Sequence, residues 1–237
     1  MKNNNPALNI GLNVVLFAVL IVLPFFIGNM FGNSWVNLLN FALIYVMLAL
    51  GLNMVVGFAG LLDLGYVAFY AVGAYTFALL SSPHLGALLG NEGLHLPWYI
   101  TIPAGALLAG LCGVLLGTPV LRLKGDYLAI VTLGFGEIIR IFMNNLSQPI
   151  NITNGPQGIS SIDPIMFGDY KLSSGFEAFG TSYPKAYAYY YLFLILAALI
   201  VLFCSRLQYS RIGRAWEAMR EDDIAAQAMG INIRNMK

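Results

Sequence analysis

Two oppositely charged residues lie inside an apolar stretch of the sequence, DYLAIVTLGFGEIIRIFMNN. Glu137 and Arg140 are three residues apart, so on a helix they share a face and can form an ion pair. An ionisable pair inside a membrane helix is costly to bury and is often part of a solute or ion path. Thr132 lies earlier on the same stretch, and all three residues are candidates for lining such a path. The alternative is a structural ion pair near the outer helix end, with both side chains reaching water.

A second polar stretch, GLNMVVGFAGLLDLG, is rich in glycine and begins at Gly51. Glycine at this density weakens a helix and lets the backbone approach another backbone or a substrate. Irregular backbone at membrane depth is tolerated where it is buried in protein or lines a cavity. The stretch therefore predicts a discontinuous helix on the solute path, and a plain cytoplasmic turn is the alternative; both can hold in part. Its candidate path residues are Asn53, Gly57, Gly60 and Asp63.

Charge is concentrated at the end of the chain, where residues 205–237 contain ten of its 23 charged side chains. Ile212, Trp216 and Met219 recur at helical spacing, which predicts one apolar stripe on a basic helix. We expect that stripe to pack on the membrane domain or on the wall of a partner's groove. The acidic triplet that begins at Glu221 is repelled by an anionic leaflet. A protein partner therefore explains this segment better than a lipid surface.

Local signals predict the shape of the charged segment. Ser210 can cap the start of a first helix, and Asp222 or Asp223 can cap a second one that runs through Ala228. Gly230 then ends the second helix. Two short helices meeting at an acidic corner are expected.

The rest of the chain has the composition of a membrane protein. Of its 237 residues, 59% are hydrophobic and 10% are charged, against roughly 45–50% and 25% in soluble domains. The apolar runs predict six crossings of a membrane: Leu8–Ile27, Trp35–Val56, Tyr66–Leu80, Trp98–Leu121, Tyr127–Met143 and Tyr187–Cys204. The fold class is therefore all-α, a polytopic membrane helix bundle.

Positive charge in the connections predicts the orientation of these crossings. With Arg122, Lys124 and the tail in the cytoplasm, all six crossings alternate, and Lys2 also lies inside. Residues 1–204 thus form a transmembrane domain with a cytoplasmic N-terminus. Residues 205–237 form a cytoplasmic segment.

The sequence offers little support for enzyme chemistry. It contains no H-E-x-x-H, no nucleophile elbow and no phosphate-binding loop. His84 and His95 flank Glu92 in one predicted external loop, and a solvated loop is a better explanation than a metal site. Cys112 and Cys204 fit small core residues. We expect no metal or cofactor in this chain, so uphill transport requires energy from another polypeptide or an ion gradient.

Longer stretches of the chain resemble a known transporter family. Ala225-Ala226-x-x-x-Gly230 resembles the cytoplasmic "EAA" motif of ABC importer permeases, with Ile224 where the generic motif has Glu. Three stretches, Leu50–Tyr75, Lys124–Asn145 followed by Ile152–Gly158, and Ser210–Asn232, are similar to the larger-type permease subunit of the bacterial branched-chain amino acid ABC importers. The resemblance covers about residues 40–237.

The resemblance implies a complete transport system in the inner membrane. Two ABC ATPases would use ATP and Mg²⁺, a second related permease would complete the channel, and a periplasmic binding protein would deliver leucine, isoleucine or valine. Permeases of this family usually continue past the coupling segment, so the chain is expected to be a fragment of a longer permease. The implied ATPase-coupling residues are Arg214, Glu217, Arg220, Glu221, Ala225, Ala226 and Gly230.

Other functions are compatible with parts of the sequence. Related importers carry urea, short amides or other amino acids, and no residue excludes these substrates. An ion-coupled secondary transporter would use Glu137, Arg140 or Asp63 as coupling charges and would need no ATPase, but the coupling segment counts against it. A membrane-embedded enzyme or a passive anchor lacks a supporting constellation of residues.

Overall fold

The structure is a computed structural model that describes residues 6–90, 93–120, 123, 125–148, 151–168, 170–178 and 181–232. By the contacts between its residues, the chain divides into two compact units. The first comprises Met1–Met47 and Phe167–Leu202, and the second comprises Leu48–Met166 and Phe203–Lys237.

Helices cover all six of the predicted apolar runs. Their bounds are α1 Pro6–Phe31, α2 Asn33–Asn53, α3 Tyr66–Leu80, α5 Trp98–Val120, α6 Asp126–Asn145 and α7 Lys185–Gln208. Leu121, the predicted end of the fourth run, lies outside the described residues. The shorter helices are α4 His84–Leu89, α8 Arg211–Glu221 and α9 Asp223–Ala228. Four short strands, β1 Met166–Phe167, β2 Tyr170–Lys171, β3 Phe176–Ala178 and β4 Thr181–Tyr183, form two ribbons, β1 with β2 and β3 with β4.

Four helical stretches are long and apolar enough to cross a membrane within the described residues. They are Asn33–Phe58, Trp98–Val120, Tyr127–Asn145 and Lys185–Gln208. Two further apolar helical stretches, Val15–Phe31 and Tyr66–Leu80, are shorter. The all-α, polytopic fold class predicted from composition is confirmed.

The first unit has an aromatic core. Tyr190 is buried and donates a hydrogen bond to the carbonyl oxygen of Leu20 in α1 over 2.8 Å. The buried amide of Asn40 in α2 donates to the carbonyl oxygen of Ala186 in α7 over 3.1 Å. Such bonds satisfy polar groups that neither lipid nor a dry core can satisfy. They tie α1, α2 and α7 together in this unit.

In the second unit, α3 packs closely on α5 through small residues. A Cβ at Gly105 would lie 3.1 Å from the carbonyl oxygen of Gly73, which shows how near the two backbones are.

The segments that follow α3 and α6 are also joined. Asp163 donates its backbone N–H to Ser81 over 2.8 Å, and its carboxylate lies 2.6 Å from Nδ1 of His95. The loops of this unit are therefore held by specific polar contacts.

Candidate functional site

The glycine-rich stretch forms a break between two helices of the second unit. Helix α2 ends at Asn53, and Met54–Phe58 forms a π-helical turn. Residues 59–65 are non-helical and lead to α3 at Tyr66. Gly60 has a φ of +68°, a conformation that glycine adopts without steric cost. The structure thus contains the discontinuous helix expected from the glycine density.

The end of this break lies directly on α6. The backbone N–H of Leu64 donates to the Thr132 hydroxyl over 3.0 Å. A Cβ at Gly65 would overlap the carbonyl oxygen of Thr132, and a Cβ at Gly136 would lie 3.3 Å from Cα of Gly65. At 1.5 Å per residue, α6 is about 30 Å long, and Thr132 and Gly136 lie about 9 and 15 Å from its start at Asp126. The break therefore reaches the level of the middle of α6, deeper than a plain surface turn.

Asp63 belongs to the same break and stabilises it locally. Its carboxylate accepts a hydrogen bond from the backbone N–H of Gly65 over 2.8 Å. Asp63 and Thr132 are polar members of a mostly apolar cavity of about 260 Å³. The main hydrophobic side chains around it are Met54, Leu61, Phe69, Phe135, Trp216 and Met219. A cavity of this kind can accommodate a small apolar group and offers few hydrogen bonds.

The Glu137–Arg140 ion pair predicted from the spacing is present. Arg140 donates from Nη2 to Oε1 of Glu137 over 2.6 Å and from Nε to both carboxylate oxygens. The two side chains line a cavity of about 360 Å³ that α6 shares with Val67, Ala71 and Tyr75 of α3. In this chain Glu137 is 52% exposed and Arg140 is 68% exposed. This exposure fits an aqueous path or another chain beside the pair, and it equally fits the alternative of side chains that reach water near the outer end of the helix.

The two short helices of the charged segment form as their local signals predict. The Ser210 hydroxyl accepts from Gly213 N–H over 3.2 Å and caps α8. Of the two aspartates considered, Asp222 is the cap of α9, since its Oδ1 accepts from the N–H groups of Ile224 and Ala225.

The charged segment ends on a Schellman motif around Gly230. Gly230 has a φ of +86°. Its N–H bonds to the Gln227 carbonyl, and that of Ile231 bonds to the Ala226 carbonyl. These bonds satisfy the last carbonyls of α9, so the expected role of Gly230 in ending this helix is confirmed.

The apolar stripe of α8 is not uniform. Met219 is buried at 5% exposure, and Met219 and Trp216 line the cavity beside the break. Ile212 is 44% exposed in this chain, so two residues of the stripe pack on the chain itself, and the expected packing of Ile212 on a partner's groove stays a prediction.

Arg220 of α8 is exposed, and its Nη1 donates to the carbonyl oxygen of Gly57 over 2.5 Å. Its expected orientation toward a partner or water stays a prediction. Its side chain turns toward the break because the carbonyl of this π-helical turn offers an acceptor within reach. Arg214, Glu217 and Glu221 are exposed, as is Ala225, whereas Ala226 is buried.

The structure adds residues that were not among the sequence candidates. Leu64, Gly65 and Gly136 bring the break against α6 through backbone contacts. The G-x-G spacing of Gly134 and Gly136 in the sequence permits close approach to α6, but it does not show which segment approaches. Asn53 lies at the start of the break, and a Cβ at Gly57 would overlap its side chain.

The two histidines have partners other than a metal ion. Nε2 of His84 lies 3.0 Å from the Asn151 carbonyl oxygen, and His95 pairs with Asp163. Within the parts of the chain that the structure describes, no three His, Cys, Asp or Glu side chains are grouped so that they could hold a metal. Glu92 lies outside the described residues.

The apolar helices of membrane-spanning length, the broken helix and the charged pair on α6 agree with a transport permease. The family model described as branched-chain amino acid transport system / permease component matches residues 34–237. The chain belongs to this family and is a multi-pass protein of the inner membrane.

Individual relatives agree with the family match. The chain is 42% identical over 236 residues to the high-affinity branched-chain amino acid transport system permease protein LivM of Escherichia coli and equally to that of Salmonella typhimurium. These matches cover 94% of this chain and 52% of each relative. A probable LivM of Methanocaldococcus jannaschii is 27% identical over 84% of this chain. The chain therefore spans about half the length of the first two relatives. No solved structure matches it.

Proposed function

We propose that this chain is part of the transmembrane permease subunit of an ATP-driven importer of leucine, isoleucine and valine. The observation that carries the proposal is the family match over residues 34–237, which includes both the broken helix and the charged segment. The names of the two relatives at 42% identity support the substrate class. The protein is accordingly a transport subunit and not an enzyme.

The energy source in this proposal is ATP hydrolysis in partner subunits. Two ABC ATPases with bound ATP and Mg²⁺ would dock on the cytoplasmic face, beside a second related permease, and a periplasmic binding protein would deliver the substrate. The capped helices α8 and α9 support this arrangement, because they form a rigid, charged element with exposed Arg214, Glu217 and Glu221. Ala225, Ala226 and Gly230 would complete the docking surface. Residues 205–237 and the N-terminus are then cytoplasmic.

The substrate path would follow the broken helix and the polar face of α6. A branched aliphatic side chain needs an apolar slot, while its ammonium and carboxylate groups need compensating charge or water. The apolar cavity beside the break and the exposed Glu137–Arg140 pair offer these two environments on the same helix. The proposed path residues are Asn53, Gly57, Gly60, Asp63, Thr132, Glu137 and Arg140.

A substrate panel tests this assignment. The full-length protein would be reconstituted with its permease partner, ATPases and binding protein, and uptake of labelled leucine would be measured with unlabelled competitors. Isoleucine and valine should compete at concentrations similar to leucine, whereas urea and acetamide should not compete. Uptake of urea or acetamide at rates comparable to leucine would replace the substrate class with that of the related amide importers.

A further inference from the structure

We propose that Arg220 is a positioning residue that joins the coupling helix α8 to the broken helix, so that the two move as one body during transport. The inference rests on the proposed function, since it assigns how movement at an ATPase reaches the membrane part of the chain. Arg220 is exposed like the other charged residues of α8, and its hydrogen bond to the break is what gives it a separate role.

The contact has both a polar and an apolar component. Nη1 of Arg220 donates to the Gly57 carbonyl oxygen over 2.5 Å. A Cβ at Gly60 would lie 2.9 Å from Cγ and 3.3 Å from Cβ of Arg220. The aliphatic part of Arg220 therefore packs against the backbone at Gly60, and glycine is needed there both for this approach and for its φ of +68°.

The position of the accepted carbonyl gives the contact its physical basis. Gly57 lies in the last turn of the π-helical segment Met54–Phe58. Carbonyls at the end of a helix lack partners within the helix and carry partial negative charge. A guanidinium satisfies such a carbonyl with a charge-assisted hydrogen bond. Arg220 thus acts as a cap supplied from α8 to the end of the broken helix.

The other end of the break is fixed to α6. Leu64 donates to Thr132, and Gly65 lies against the backbone of the same residue. Trp216 and Met219 of α8 line the cavity next to these contacts. A displacement of α8 therefore passes through Arg220 to residues 57–60 and from there to the middle of α6. Without the Arg220 contact, α8 can shift while the break stays in place.

The first test compares two arginines of the same helix in the full complex. Arg220→Gln should leave ATPase co-purification unchanged but lower the number of leucine molecules transported per ATP at least fivefold. Arg220→Lys keeps the charge and one donor and should fall between Gln and wild type. Arg214→Gln, the matched control on the same helix, should weaken co-purification and keep the transport-to-ATP ratio of the complexes that still assemble.

The second test replaces the contact with a covalent one. Cys112 and Cys204 are first changed to Ala, and any other cysteines of the full-length protein are removed. Gly60→Cys and Arg220→Cys are then introduced together as the pair that forms the disulfide. The Cβ separation of 3.3 Å is close to the roughly 3.5–4.5 Å that a disulfide needs. The reduced double variant should be uncoupled like Arg220→Gln, and oxidation should restore at least half of the wild-type transport-to-ATP ratio.

The outcomes separate this inference from the function on which it rests. In the first test, the inference is overturned if Arg220→Gln loses the ATPase as Arg214→Gln does, or if its transport-to-ATP ratio equals that of wild type. In the second test, it is overturned if the disulfide does not form, or if the disulfide forms without restoring the transport-to-ATP ratio. If the wild-type complex shows no ATP-dependent uptake, the proposed function fails instead. The disulfide yield still measures the contact in that case.

Discussion

The charged segment α8–α9 and the break at residues 54–65 are both rich in small or polar residues, but their structures have different origins. In α8–α9, each helix end is fixed by a residue no more than five positions away, such as Asp222 bonding to Ala225. In the break, the decisive partners are distant: Leu64 bonds to Thr132, 68 residues away, and Gly57 to Arg220, 163 residues away.

This difference explains what a change in each region should do. A locally encoded segment loses only its own end when one cap is removed. A segment held by distant contacts transmits a change to every element that it contacts. Substitutions in the break should therefore affect both stability and transport, while those in α9 should act mainly on ATPase docking.

The largest effect is expected at Gly65. Gly65→Ala places a Cβ on the carbonyl oxygen of Thr132, and a backbone atom cannot move aside as a flexible side chain can. Overpacking of this kind costs about 1–3 kcal/mol, so the complex should unfold at a lower temperature and leucine uptake should fall more than tenfold. Gly134→Ala on α6, where nothing lies within 4 Å, is the control and should be close to wild type in both measurements. Equal behaviour of the two variants would contradict the close contact.

A smaller difference should separate Gly60 from Gly57. Gly60→Ala introduces a side chain at a φ of +68° and against Arg220, and the backbone conformation alone costs roughly 1–2 kcal/mol. At Gly57 the overlapping group is the side chain of Asn53, which can rotate away. Bulky residues at either site should reduce uptake without changing expression, and alanine should be worse at Gly60. Uptake assays of the two alanine variants at matched expression decide the order, and near-normal uptake by both would remove this region from the path.

The smallest effect on the membrane helices is expected at Gly230. Gly230→Val has open space around the Cβ but must keep a φ of +86°, so about 1–2 kcal/mol of strain falls on the end of α9. The membrane helices should stay inserted, while ATPase co-purification or the transport-to-ATP ratio should fall. A variant that retains full association and full uptake would remove the coupling role from this turn.

The same contrast accounts for how much could be predicted from the sequence. The lengths of the six apolar runs predicted the six long helices, and capping residues predicted the bounds of α8 and α9. Both signals are contained in the segment that forms the helix. The contact of Arg220 with Gly57 was not predicted, since amphipathic spacing indicates a helix face but does not show that a carbonyl of a distant turn lies beside it. The packing of Gly65 on Thr132 has no local signal, because any glycine permits close approach and the partner is set by tertiary structure.

The proposed transport function depends on ATP as the energy source. The direct measurement is leucine uptake into liposomes that contain the complete full-length complex, with binding protein outside and ATP inside. We predict concentrative uptake that stops when hydrolysis-defective ATPases replace the normal ones and that is unchanged when proton and sodium gradients are dissipated. Uptake that continues with the defective ATPases and follows an ion gradient would contradict the account and would identify Glu137, Arg140 or Asp63 as coupling charges of a secondary transporter.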